Sequence, residues 1–146
     1  MRDGRQFCCL RAAKPAKIKV VSRPVITIDG SRVSDLAGFT EEFNRIYAQF
    51  DVRWDGHNLD AFHDFLVWPE EEYVLVWKDS DLLREKLGHG EMLKWLERKV
   101  QHCHPSHLSR LRDEIEAAKR GEGQTMFDLL MEIIRSDRPY VELRLE

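Results

Sequence analysis

Three aspartates and two histidines crowd into the run Trp54-Asp55-Gly56-His57-Asn58-Leu59-Asp60-Ala61-Phe62-His63-Asp64-Phe65-Leu66. Asp60 and Asp64 are four residues apart, so on a helix they share one face. Leu59, Phe62 and Leu66 fall on the opposite face, at the spacing that buries a helix against a core. Like charges in adjacent turns cost an isolated helix about 0.2–0.5 kcal/mol. A helix that gains nothing from its carboxylates carries them for a partner, and that partner is expected to be basic. His57, Asp60, His63 and Asp64 are also candidates for metal ligation or acid–base catalysis. No nucleophile, phosphate loop or third fixed ligand accompanies them, so neither an enzyme nor a cofactor is expected.

A second imidazole cluster, His102-Cys103-His104-Pro105-Ser106-His107, invites a zinc reading. Structural zinc sites draw four ligands from two separated pairs, and the chain has no second cluster. A corner between two helices is the expected role, and no metal site is assigned.

Composition narrows the class. With 42% hydrophobic and 34% charged residues, the 146-residue chain suits one soluble domain with a sizeable core. No apolar run approaches the roughly 18–20 residues that span a membrane. Phe7-Cys8-Cys9-Leu10 is too short for the apolar core of a secretory signal. Three cysteines, two of them adjacent, do not make a disulfide framework, and a reducing cytoplasm is the expected compartment. The net charge of −3 conceals an asymmetry: residues 1–23 carry seven Lys/Arg and one acid, whereas residues 24–146 carry 16 basic and 25 acidic residues. The basic stretch reads as a flexible, solvated extension. So acidic a body repels nucleic acid and is not expected to bind it.

The elements that must position the 54–66 run follow from periodicity. Residues 24–29 alternate and are β-branched, which predicts a strand ending at Gly30-Ser31. Leu36, Phe39, Phe43, Ile46, Tyr47 and Phe50 predict an amphipathic helix over 34–50, with Ser34 as N-cap. The acidic helix runs from about Asn58, itself an N-cap candidate, to Val67. Residues 73–77 form a nearly continuous apolar run, the pattern of a strand covered on both faces. Asp79 or Ser80 caps a helix through Leu87. Two apolar stripes, Met92–Cys103 and Leu108–Ala118, separated by Pro105, predict a helical hairpin over 88–122 that behaves as a semi-independent appendage. A last helix spans about 125–135, and residues 140–145 alternate as a closing strand. Strands separated by helices imply an α/β fold, a small three-stranded parallel sheet packed with helices and carrying the inserted hairpin.

That element order, with Gly56-x-Asn58-Leu59-Asp60-Ala61 and a further aspartate at 64, resembles the barstar family of intracellular inhibitors of the secreted ribonuclease barnase. The similarity also takes in residues 25–29, 73–77, the 125–135 helix and the final strand. The resemblance implies a monomeric protein that plugs a ribonuclease active site one-to-one. It implies partner contacts from Trp54, Gly56, Asn58, Asp60, His63 and Asp64, and from Glu132 on the last helix. The family has tyrosine in place of Trp54 and tryptophan in place of His63. His63 exchanges a large apolar anchor for a small titratable ring, which leaves open a different basic partner that is not a ribonuclease. The hairpin and the basic N-terminus have no counterpart in the family. From the residues alone, Trp54 either packs inward or meets the partner, Gly56 serves backbone conformation, and Asp55 is equally a turn residue.

Overall fold

A computed structural model describes residues 23–137 and 139–146. The basic extension and the Cys8-Cys9 pair lie outside the described residues, except for Arg23, which pairs with Glu142. The described chain forms three strands and six α-helices: β1 (Val25–Asp29), α1 (Leu36–Tyr47), α2 (Leu59–Leu66), β2 (Tyr73–Lys78), α3 (Ser80–Lys86), α4 (His89–Val100), α5 (Leu108–Lys119), α6 (Met126–Arg135) and β3 (Val141–Leu145).

The strands form one parallel sheet in the order β1-β2-β3. β2 is central, and residues 73–77 are all buried, as a strand covered on both faces requires. The flanking strands alternate buried and exposed positions. In register, Ile28 stands beside Trp77, and Leu75 beside Leu143. Gly30 ends β1 where a Cβ would come 2.5 Å from the Lys78 carbonyl oxygen and 2.7 Å from that of Asp79, so only glycine lets the chain pass the end of β2.

Aromatic side chains fill the space between the sheet and its helices. Phe39 meets Trp77 edge-on at 5.7 Å, and Trp77 meets Phe127 at 5.1 Å. Two buried tyrosines tie α1, α2 and β2 together. The Tyr73 hydroxyl donates to the Leu66 carbonyl at 2.6 Å, so Tyr47, 2.8 Å away, must donate to Tyr73. Burial raises the pKa of both. Glu42 is buried midway along α1. It accepts from the Asp29 N–H at 3.1 Å and pairs with Arg45 at 2.8 Å and Arg32 at 3.3 Å.

Three expectations are corrected. The first long helix is capped by Asp35 rather than Ser34, the Asp35 carboxylate accepting from the Gly38 N–H at 2.7 Å. That helix ends at Tyr47, and a 3-10 turn over Ala48–Phe50 closes on Asp51 in the left-handed region. Asp79 does stand at the N-cap of α3, but without a side-chain capping bond. The Ser80 hydroxyl donates to the Glu146 carbonyl at 3.3 Å. The third correction concerns the hairpin. α4 and α5 do pair as antiparallel neighbours around the turn at Pro105, but they are not an appendage. Met92, Trp95, Leu96, Leu111 and Ala118 are buried in the same core as the sheet residues. The Leu36 N–H donates to Glu91 at 2.8 Å, which fastens the start of α4 to α1, and the Phe127 N–H donates to the Leu87 carbonyl at 2.7 Å, which joins the chain on either side of the insertion.

Candidate partner-binding site

The loop before α2 is shaped by hydrogen bonds local to it and by α1. The Asp55 carboxylate accepts from the His57 N–H at 2.8 Å and the Asn58 N–H at 3.0 Å. Those bonds, led by that from Asn58, hold its pKa below the ordinary aspartate value despite partial burial. Asp55 is thus a turn-former. Gly56 has φ +81°, and a Cβ there would lie 2.4 Å from the Thr40 hydroxyl oxygen, so this position excludes a side chain twice over. Asn58 caps α2, its side-chain oxygen accepting from the Ala61 N–H at 3.1 Å.

Trp54 does not offer its ring to a partner. It is 1% exposed and packs against Phe39, Phe43 and Phe62. Its indole N–H donates to the Asn58 carbonyl at 2.8 Å. The Asn44 side chain accepts from its N–H at 2.7 Å and donates to its carbonyl at 2.8 Å. Every polar group of Trp54 is therefore satisfied inside the protein, and the expectation that it contacts a partner is corrected in favour of the inward-packing alternative. The apolar cluster draws the ring in, and Asn44 holds its backbone.

On α2, Phe62 and Leu66 are fully buried and Leu59 partly so, while Asp60 and Asp64 are exposed one turn apart on the other side. The Asp64 side chain is 74% exposed, with His63 Nδ1 3.8 Å away. Glu132 is exposed on α6, the helix next to α2, and accepts from Gln124 at 2.6 Å. Asp128, four residues before Glu132, is turned back into a capping box with Thr125.

His63 lies between these carboxylates and a residue that sequence reasoning missed. Its Nε2 is 2.7 Å from Asp137, just after α6, whose side chain is only 8% exposed. Burial raises the Asp137 pKa, with His63 acting against that rise. The bond fixes the ring and directs Nδ1 toward the Asp64 side. Nothing in the sequence near Asp137 marks it, because the contact depends on how α6 docks on α2.

The hairpin also reaches the loop. Trp95 on α4 donates through Nε1 to the His57 carbonyl at 2.9 Å, and the two rings lie 6.0 Å apart. Its cationic end bears on the same place: burial first, then the Arg98 charge, lowers the His57 pKa, with Asp55 opposing. At the turn, His104 caps the 3-10 segment Pro105–His107, accepting from the Ser106 N–H at 3.1 Å.

The sequence model of the barstar (barnase inhibitor) family matches residues 23–127, well over half of the chain. The chain belongs to the barstar family. No curated protein and no solved structure matches it. The matched span contains β1, the whole 54–66 motif and β2, and ends at the start of α6, so Glu132, Asp137 and β3 lie beyond it. Among the described residues, no helix is long and apolar enough to cross a membrane.

Proposed function

We propose that this barstar-family protein inhibits a ribonuclease of barnase type, one molecule to one, by seating the 55–58 loop and the exposed face of α2 in the enzyme's active site. The observation that carries this reading is the pair of exposed carboxylates, Asp60 and Asp64, on a helix whose other face is locked into the core. A ribonuclease holds phosphate with Lys, Arg and His, and carboxylates fixed on a rigid helix suit those positions. An acidic face also speeds encounter with a cationic enzyme; barnase–barstar is a standard example of that effect. His63, fixed by Asp137, adds an oriented imidazole to the same face, and Glu132 adds a carboxylate from α6. In this role the protein works as a monomeric immunity factor in the cytoplasm, protecting the cell that makes the toxin, and needs no catalytic group, metal or cofactor.

The test is suppression of RNA cleavage by barnase, and by a nuclease encoded beside this protein's gene, at stoichiometric inhibitor. Inhibition that saturates at one equivalent supports the reading. Folded protein that binds neither enzyme overturns it. A second reading keeps the surface and changes the target to a basic protein that is not a nuclease. The imidazole at 63 and the hairpin flanking the loop favour it, since both alter the shape offered to a partner. Affinity capture from the native source followed by mass spectrometry separates the two.

A further inference from the structure

The corner where α4 meets α5 has the opposite charge to the α2 face. A cavity of about 280 Å³ is lined there by His57, Lys99, His102, Cys103, His104, His107 and Arg110, with no carboxylate in the lining. Lys99 and Arg110 have no carboxylate within ion-pair distance among the described residues, although Glu114 stands one turn beyond Arg110. Lys99 Nζ lies 4.8 Å over the Trp95 ring, which orients it without neutralising it. Asp55, an acid on the loop side, is occupied by the His57 and Asn58 N–H groups.

The His104 imidazole is set as a donor. His104 Nδ1 accepts from the Ser106 N–H, so its ring proton sits on Nε2 and is free to donate. Two observations argue against a cation here. Among the described residues no group of three or more His, Cys, Asp or Glu side chains is disposed to hold a metal. The Cys103 thiol is already turned onto the Val100 carbonyl at 3.5 Å, and the fixed charges of Lys99 and Arg110 repel a metal ion.

We propose that this corner is an oxyanion site that takes a phosphate group, held by Lys99, Arg110 and the imidazole N–H groups of His102, His104 and His107. Side chains able to donate, from the end of α4, the turn and the start of α5, line one cavity, and a tetrahedral dianion has acceptor oxygens for all of them, whereas a carboxylate has two. The same chemistry is offered by free phosphate and by a nucleotide monophosphate. The site is independent of the inhibitory reading, because ribonuclease binding can fail while this site stands.

The experiment follows the histidine Cε1–H resonances of the full-length protein during titration with inorganic phosphate at constant ionic strength. Saturable shifts of His102, His104 and His107 are expected, with Kd on the order of 1 mM. Lys99→Gln with Arg110→Gln should raise Kd by about tenfold or more. Arg110→Gln alone, at an exposed position, serves if the double variant loses its circular dichroism spectrum. Uridine 3′-monophosphate binding about tenfold tighter than phosphate assigns the site to nucleotides, and equal affinity assigns it to free phosphate. No saturation, unchanged affinity in a folded variant, or tighter binding of hexaglutamate than of phosphate overturns the proposal.

Discussion

Gly56 controls the shape of the 54–58 loop through two separate constraints, its positive φ and its close approach to Thr40. Gly56→Ala should therefore lose about 1–3 kcal/mol in urea unfolding. Thr40→Ala, which removes the two nearest atoms a Cβ would strike, should restore part of that loss in a double-mutant cycle but not the backbone strain. Additive losses would show that the contact contributes nothing. Asp60→Ala and Asp64→Ala should each weaken ribonuclease binding by about 2–5 kcal/mol, as for one member of a buried charge pair, with the unfolding midpoint unchanged. A lowered midpoint with full residual inhibition would mark them as structural instead. At this scale the sequence was readable where spacing alone decides. Asn58 as cap, Asp60 and Asp64 outward and Phe62 inward all follow from helix periodicity. It was ambiguous for Trp54, whose fate depends on Phe39, Phe43 and Asn44 one helix away. It was silent on Asp137, whose partner arrives from 74 residues earlier in the chain.

Among the elements, the strands and six helices were legible because each carries a clean period of two or near 3.6. The placement of the hairpin was not. Its stripes are amphipathic in the same way whether they bury against each other or against a body, and only the docked structure distinguishes these. With Trp95 in the common core and bonded to the His57 carbonyl, replacement of residues 88–122 by a Gly/Ser linker should lower the thermal midpoint and weaken partner binding together. An unchanged midpoint would return the hairpin to the status of an appendage. The join between α2 and the sheet is tested more gently by Tyr73→Phe. It leaves the Leu66 carbonyl and the Tyr47 hydroxyl without their partner, at a cost of about 1–3 kcal/mol in denaturant unfolding.

For the whole molecule, acid sensitivity should centre on Glu42. Burial acts to raise its pKa, but hydrogen bonds from Arg45 and the Asp29 N–H, with the charges of Arg45 and Arg32, outweigh burial and hold it below the ordinary glutamate value. A depressed carboxyl contributes stability that is full above the unfolded pKa and is lost as pH falls through the folded one. The fall should be shallower in Glu42→Gln, read from unfolding curves between neutral pH and about pH 3. A slope identical to that of the parent would place the acid sensitivity elsewhere. The tryptophans allow an optical measurement as well. Trp54, Trp77 and Trp95 are 1%, 0% and 8% exposed, whereas Trp68 is 58% exposed, so the red edge of the emission belongs to Trp68 and is the part iodide quenches. In a Trp68→Phe background the remaining emission comes from buried indoles, and one of these, Trp95, reports directly on the 54–58 loop through its bond to the His57 carbonyl. Any ligand that moves that carbonyl shifts the emission without an attached dye, which turns a packing contact into a built-in fluorometer for partner screening.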